Sequence, residues 1–203
     1  MSKFLPLILV VLYAILMMRF SVWRTRKVLD QNSQPLTDPS ITRLADRMAE
    51  AMGIPEIRVN VFEVEPINGL AAPDGRIFLT RGFLNRKARG DVTAEELASV
   101  IAHEMGHVAQ GHMRRRMIDF TGQNAVFVML SAILNRFLPF IGIWLANLIS
   151  TALMARLSRR DEFEADAYAT ALLIKSGIGT GPQKSLFRKL DALTQNRAEG
   201  IPA

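Results

Sequence analysis

A His-Glu-x-x-His sequence at residues 103–107 constrains this chain more than any other feature, because it calls for a distant segment to fold back onto one helix. A helix rotates by about 100° per residue, so His103 and His107 lie one turn apart on the same face. Two imidazoles at that spacing can reach one metal ion, with Glu104 beside them. Zinc accepts neutral imidazole nitrogens, and a catalytic zinc keeps one position for water. A third protein ligand must then come from elsewhere in the chain.

Three details favour a metal site over a pair of surface histidines. The chain has only three histidines, and two of them bracket a glutamate at ligand spacing. Apolar residues precede the motif, which predicts a buried helix, and a glycine beside the second histidine leaves room for close packing. We therefore predict that His103 and His107 are metal ligands and that Glu104 is the general base that deprotonates the attacking water.

The third histidine is a poor candidate for the third ligand. His112 follows His107 by five residues, which turns the helix by about 140°, away from the first two ligands. Metzincins need a glycine and a histidine where this chain has Gln110 and Met113. We predict that His112 is a surface histidine or a hydrogen-bond partner of a ligand.

A downstream acidic sequence offers a better third ligand. Glu162 and Asp166 are four residues apart and share a helix face, whereas Glu164 lies about 200° around the helix from Glu162. Taken alone, these carboxylates are compatible with a solvated helix start, where the helix dipole favours negative charge. The histidine pair makes Glu162 the better prediction for a ligand.

The motif at 103–107, followed by Glu162-x-x-x-Asp166 with hydrophobic sequence between, resembles the HtpX-type membrane zinc metalloproteases. These are gluzincins related to the CAAX prenyl proteases. The resemblance implies one Zn²⁺ per chain, with Glu162 as third ligand and Asp166 orienting a ligand histidine. That role is physically reasonable, because ligating imidazoles usually donate their other N–H to a carboxylate or carbonyl.

The resemblance also places a short segment beside the cleft, on an edge strand that pairs with the substrate backbone. Such pairing binds extended peptides through their main chain. The residues themselves are equally compatible with an ordinary hairpin. The segment comprises Asn68, Gly69, Leu70, Ala71 and Ala72.

The remaining patterns predict an α+β, mostly helical fold with a small antiparallel sheet, an N-terminal membrane anchor and a hydrophobic helical insert, and the resemblance implies a zincin-like metalloprotease domain. Asp38 and Gly53 bound one helix, and a capping box at Thr93 starts the central helix, which we expect to reach residues 114–117. Ser158 is predicted to cap the next helix. Strands are predicted at 57–64, 70–72 and 76–80, a basic loop at 86–90, and a last helix at 183–195.

Two apolar blocks predict membrane contact. The first, Phe4 to Met18, is uncharged. A membrane span needs about 20 residues, and a snorkelling Arg19 and an interfacial Trp23 would extend the block to that length. No Ala-x-Ala-like site follows, so an uncleaved anchor is preferred to a signal peptide. The basic residues after it predict a cytoplasmic catalytic domain. The resemblance implies the bacterial inner membrane.

The second apolar block, Ala125 to Ala155, has a constrained path. If the histidine pair and Glu162 hold one ion, both ends of the block lie on the same side of the membrane. A two-span hairpin and a membrane-dipping insert fit equally, and buried helices over the active site are a third alternative. The predicted regions are an anchor at 1–23, a linker at 24–39, peptidase sequence at 40–119 and 158–203, and the insert at 120–157.

Composition narrows the partners. The net charge is +6, but the basic residues flank the apolar blocks, which predicts contact with membrane lipid and no nucleic acid. The absence of cysteine excludes disulfides and thiolate metal sites.

These patterns together predict a membrane-anchored zinc endopeptidase that cleaves peptide bonds with metal-activated water, and the resemblance implies membrane or misfolded proteins as its substrates. In the resembled family a downstream His-Pro segment helps to stabilise the oxyanion, whereas this sequence has no histidine after His112. Either the chain is a fragment or another group has that role. A non-catalytic membrane adaptor or pseudoprotease is therefore the alternative, and a prenyl-protein protease is a narrower one.

Overall fold

The computed structural model of the chain describes residues 5–112, 127–128, 130–139 and 141–199. Helices predominate, and the expected α+β, mostly helical class is confirmed. The helices are α1 (Leu5–Gln31), α2 (Pro39–Met52), α3 (Arg81–Ala88), α4 (Ala94–Ala109), α5 (Gly142–Lys175) and α6 (Gly181–Glu199). Residues 127–128 and 130–137 are also helical. The strands are β1 (Ser33–Pro35), β2 (Val59–Phe62), β3 (Gly69–Ala71) and β4 (Ile77–Thr80).

The sheet is mixed, so the prediction of an antiparallel sheet is wrong in one pairing. Its order is β1-β2-β4-β3. The β1–β2 and β3–β4 pairs are antiparallel, whereas β2 and β4 are parallel. The chain leaves β2, crosses to the outer position of β3 and turns back through Gly75 (φ +83°), so that β4 fills the central place. Within the described residues β3 is therefore an edge strand with one side open.

Three local predictions differ from the structure. Ser33–Pro35 lies in the predicted linker yet pairs with β2 as strand β1. The predicted basic loop at 86–90 begins inside α3, where buried Phe83 holds the helix against the core. Ser158 does not start a helix but lies within α5, because no proline or glycine interrupts the sequence between Ile143 and Lys175.

Helix α2 has the predicted bounds. The Asp38 carboxylate accepts hydrogen bonds from the backbone N–H groups of Ser40 and Ile41, and Gly53 ends the helix with a left-handed φ of +70°. Burial acts to raise the pKa of Asp38, but hydrogen bonds from Lys87, from Ser40 and from the two N–H groups outweigh it and lower the pKa to about 2. The N-cap residue Asp38 therefore also forms an ion pair with Lys87, which connects α2 to α3.

Helix α4 is the centre of the larger core. Its predicted capping box is present: the Glu96 N–H donates to Thr93 Oγ1 and the Thr93 N–H donates to the Glu96 carboxylate. Leu97 and Ile101 are fully buried among side chains of α2, the sheet and α6. The helix ends at Ala109, and Gly111 just beyond it has a left-handed φ of +67°, so the prediction that α4 continues to residues 114–117 is wrong.

The described residues divide into two compact units. One combines residues 30–110 with those from 164 onward, and it contains the sheet, α2, α3, α4, the last third of α5 and α6. The other combines the described residues up to 29 with those of 111–163, and it contains most of α1 and the first two thirds of α5. Among the described residues, no helix combines the length and hydropathy that crossing a membrane demands. The anchor at 1–23 and the insert at 120–157 stay predictions, and residues 120–126 of the insert lie outside the described chain.

Candidate metal centre

The two motif histidines face each other across one turn of α4. Their Nε2 atoms are 3.1 Å apart, and their ring centroids are 4.8 Å apart with the planes at 78°. His107 is buried, with 7% of its surface exposed, and His103 is half-buried. The four-residue spacing thus brings two potential ligand atoms to one point, as the sequence predicted.

The geometry of the pair fits a zinc ion. Zinc–imidazole bonds of about 2.0–2.1 Å in a tetrahedral site put two ligand nitrogens about 3.3 Å apart, close to the 3.1 Å separation here. Two groups of three histidine and acidic side chains among the described residues have ligand atoms within 4.8 Å of one another, and His103 and His107 belong to one of them. The donor set is therefore suited to a metal ion.

Asp166 determines the orientation of the first histidine. Its Oδ1 lies 2.8 Å from His103 Nδ1. A carboxylate only accepts hydrogen bonds, so Nδ1 carries the proton and donates it. In that tautomer Nε2 carries the lone pair, and it faces Nε2 of His107. The structure thus brings Asp166 to the histidine pair from α5, 63 residues further along the chain.

Gly106 makes this meeting of α4 and α5 possible. A Cβ atom at this position would lie 2.8 Å from the backbone oxygen of Ala165 and 2.9 Å from its Cα. Backbone atoms cannot rotate away as a flexible side chain can, so any side chain here would push the helices apart. Ala165 itself is fully buried. The glycine between the histidines therefore permits the close approach that delivers Asp166.

Glu162 lies on α5 one turn before Asp166. Four residues of helix put the two carboxylates on the same face, with about 5–6 Å between their Cβ atoms. The Glu162 side chain is exposed, whereas Glu164 is half-buried on a different face of the helix. The continuity of α5 thus fixes the position of Glu162 relative to Asp166.

Glu104 lies against the edge strand. A Cβ atom at Gly69, the first residue of β3, would be 3.2 Å from Glu104 Oε1 and would overlap the side chain of Val100. Glu104, His103 and Gly69 all line one cavity of about 210 Å³. The predicted general base therefore faces the start of β3.

The predicted cleft segment has a defined backbone. Asn68 precedes β3, and its N–H donates to Thr80 Oγ1 at 3.0 Å while its carbonyl accepts from the Thr80 N–H. Gly69, Leu70 and Ala71 pair with β4, and Ala72 follows as a buried residue. Only one side of the segment is occupied by β4 within the described residues.

His112 is not a surface histidine. It is fully buried, and its Nε2 lies 3.7 Å from Oδ1 of the equally buried Asp161. These two residues belong to the second of the two potential ligand groups, separate from the pair at 103 and 107.

Helix α6 contributes residues that sequence reasoning did not assign to the site. The sequence predicted α6 only as a last helix, but its residues Leu186, Phe187 and Leu190 line the same cavity as Glu104. Phe83 of the unpredicted α3 lines it as well. The apolar spacing of α6 was visible in the sequence, but nothing local indicated which cavity it faces.

Comparison with known proteins agrees with this geometry. The model of peptidase family M48 matches residues 35–188. The metalloprotease LoiP of Escherichia coli is 29% identical over 161 residues, which cover 79% of this chain and 62% of LoiP. A protease HtpX homolog of Variovorax paradoxus is 26% identical over 74% of this chain and 59% of its own length. The mitochondrial metalloendopeptidase OMA1 of Arabidopsis thaliana is 32% identical over 64% of this chain and 25% of its own length. The chain thus spans about six tenths of the bacterial relatives that it matches.

Proposed function

Because the chain belongs to peptidase family M48, we propose that it is a membrane-associated zinc endopeptidase acting on polypeptides. The observation that carries the proposal is the convergence of the His103 and His107 Nε2 atoms, with Asp166 bonded to the far side of one ring. Glu104 lies beside this pair and lines a cavity next to an edge strand.

Glu162 completes the proposed ligand set of His103, His107 and Glu162, which would hold one Zn²⁺. The support is geometric: the bond between His103 and Asp166 selects one face of α5, and Glu162 lies one turn away on that same face. A bound zinc ion supplies Lewis acidity, which polarises a carbonyl group and lowers the pKa of water.

The protein residues then have distinct roles. Glu104 accepts a proton from the attacking water and passes it to the nitrogen of the leaving amine. Asp166 holds His103 in the tautomer whose Nε2 is unprotonated, which keeps the ring both correctly oriented and more basic. Neither role requires Glu104 or Asp166 to bind the metal itself.

The open edge of β3 is the proposed binding site for the substrate main chain. An extended peptide can add to the open side of β3 through main-chain hydrogen bonds, which bind many sequences equally. Asn68, Gly69, Leu70, Ala71 and Ala72 form this proposed binding segment. Because a Cβ at Gly69 would approach Glu104 to 3.2 Å, a peptide along this edge passes close to the general base.

Helix α1 is the proposed membrane attachment. Four of its exposed large side chains recur at helical spacing and form one stripe: Leu12, Leu16, Phe20 and Trp23. The Lys27 ammonium lies 5.2 Å from the centre of the Trp23 ring, at the polar end of this stripe. An aromatic residue paired with a cation at the end of an apolar stripe is typical of a membrane–water interface. Alkaline extraction of membranes tests this attachment. We expect it to release more of the Leu16→Arg variant than of the wild-type protein.

The test of catalysis is Glu104→Gln, measured as cleavage of casein by the zinc-loaded full chain together with zinc content. The amide keeps the shape of the side chain but cannot accept the proton, so cleavage should fall by at least about 100-fold while zinc stays at one ion per chain. Glu95→Gln is the matched control, because Glu95 is an exposed glutamate of the same helix. It should cleave like wild type.

Wild-type cleavage by Glu104→Gln would contradict the assigned base. A wild-type protein that binds zinc but cleaves neither casein nor unfolded polypeptides would favour the non-catalytic adaptor instead.

A further inference from the structure

The cavity beside Glu104 has an apolar wall that the catalytic chemistry does not use. Its volume is about 210 Å³, several times the about 30 Å³ that one water molecule occupies in the liquid. His103, Glu104 and the start of β3 line it. Phe83 of α3 and apolar residues of α6 line it as well. A side chain entering from a peptide on β3 would therefore meet carbon atoms.

Helix α6 is tied firmly in place where it lines the cavity. Glu96 of α4 is almost fully buried, and its carboxylate accepts hydrogen bonds from the Ser185 hydroxyl at 2.6 Å and the Lys189 ammonium at 2.8 Å. Burial acts to raise the pKa of Glu96, but the bonds from Lys189, Ser185 and the Thr93 N–H lower it overall. The carboxylate is therefore charged at neutral pH and anchors α6 to α4.

This anchor sets which α6 side chains face the cavity. Leu186 and Phe187 lie between Ser185 and Lys189, and Leu190 follows directly. Leu186 belongs to the core, with 3% of its surface exposed, whereas Phe187 is 47% exposed. Phe187 can therefore be changed in size without removing core packing, and it forms the adjustable part of the wall.

Gln183 gives the cavity a polar corner. It is buried, and its Oε1 accepts a hydrogen bond from the Thr170 hydroxyl at 3.1 Å. Because that bond fixes the amide, the corner is built into the fold. It provides no charge, and the Glu104 carboxylate in the same lining would repel a substrate carboxylate, which would lose its hydration in this cavity without gaining an ionic partner.

We propose that this cavity binds an uncharged, apolar substrate side chain adjacent to the cleaved bond, and that Phe187 sets the largest side chain accepted. This inference rests on the proposed peptidase function. Phe187 on α6 is then a determinant of specificity. The main chain of β3 binds the substrate main chain without selecting among side chains.

The test uses quenched-fluorescence peptides that are identical except for the residue on each side of the cleaved bond, which is Ala, Leu, Phe, Trp or Asp. The measured quantity is the ratio of kcat/KM values for two peptides, which a general loss of activity leaves unchanged. For wild type we expect Leu to be preferred over Asp by at least about tenfold at one of the two sites. Phe187→Ala should raise the ratio of Trp to Leu at that same site by about tenfold, and Phe187→Trp should lower it.

Ile174→Ala is the matched control, since Ile174 is an exposed apolar residue of α5 that does not line the cavity. It should leave every ratio unchanged. If wild type cleaves the series but shows no apolar preference, or if both Phe187 variants keep the wild-type ratios, the inference is wrong and the peptidase function stands. If wild type with zinc cleaves no member of the series or casein, the proposed function itself fails.

Discussion

Gly106→Ala tests whether the close contact between α4 and α5 controls the metal centre. The added Cβ would lie 2.8 Å from the Ala165 oxygen, about 0.6 Å short of the 3.4 Å at which ordinary contact begins. Overpacking of this kind costs about 1–3 kcal/mol, and the better helix propensity of alanine returns about 1 kcal/mol. The net loss of about 0–2 kcal/mol should lower Tm by no more than about 8 °C, so the variant should still fold.

The effect on the metal should be larger than the effect on stability. A shift of about 0.6 Å would lengthen the 2.8 Å bond between Asp166 and His103 to about 3.4 Å, which is beyond a good hydrogen bond. Loss of such a bond to a ligating histidine typically weakens metal binding by about 10–100-fold. We therefore expect Gly106→Ala to raise the zinc Kd by that factor and to lower kcat/KM about tenfold at limiting zinc.

The assay is a competitive zinc titration against a chromophoric chelator, followed by peptide cleavage in the same buffer. Gly181→Ala is the control, because a Cβ atom there meets nothing within 4 Å. It should match wild type in both measurements. If Gly106→Ala is folded and also binds zinc with wild-type affinity, the contact with Ala165 does not position the ligand, and the reasoning is refuted.

Three further predictions concern the metal centre and the Asp38 cap of α2. Asp166→Asn should weaken zinc binding about 10–100-fold, because the amide no longer stabilises the Nδ1 proton of His103; Asp191→Asn, on the exposed side of α6, should not. Chelation by 1,10-phenanthroline should abolish cleavage, and one equivalent of zinc should restore it. Asp38, with its pKa lowered to about 2, should stabilise the fold above pH 4 and lose that contribution as the pH falls through 2. Urea unfolding should therefore show wild type exceeding Asp38→Asn by up to about 2 kcal/mol at pH 6 and by only about 0.4 kcal/mol at pH 2.

Local rules predicted the elements whose signals are self-contained. The bounds of α2 followed from Asp38 and Gly53, because a side-chain acceptor and a left-handed glycine act within a single helix turn. The start of α4 followed from Thr93 in the same way. The facing of His103 and His107 is likewise a property of one turn of helix, so the sequence predicted it from spacing alone.

The missed elements depend on contacts between distant segments. β1 is a polar three-residue strand that exists because β2 offers it a pairing edge. α3 has few apolar positions, and buried Phe83 stabilises it by tertiary packing rather than by a periodic pattern. The parallel pairing of β2 with β4 depends on the path of the connection after Phe62, which no hydrophobic alternation specifies.

The same distinction between local and long-range contacts applies to the residues of the site. The position of Asp166 beside His103 joins residues 63 apart and was expected only from family resemblance, since spacing says nothing about the approach of α5 to α4. The sequence predicted that Gly106 leaves room for close packing, and in the structure the backbone of Ala165 approaches it there. The two bonds that Glu96 accepts from Ser185 and Lys189 could not be predicted from local sequence, because these partners lie 89 and 93 residues away.

X-ray absorption spectroscopy at the zinc edge can identify the ligands of the bound ion. We expect one zinc per chain with two imidazole nitrogens and a carboxylate oxygen among its ligands, and loss of that oxygen contribution in Glu162→Gln with both imidazoles retained. A spectrum that fits three imidazoles would place His112 on the metal. That result, or a spectrum unchanged by Glu162→Gln, would contradict the proposed ligand set of His103, His107 and Glu162.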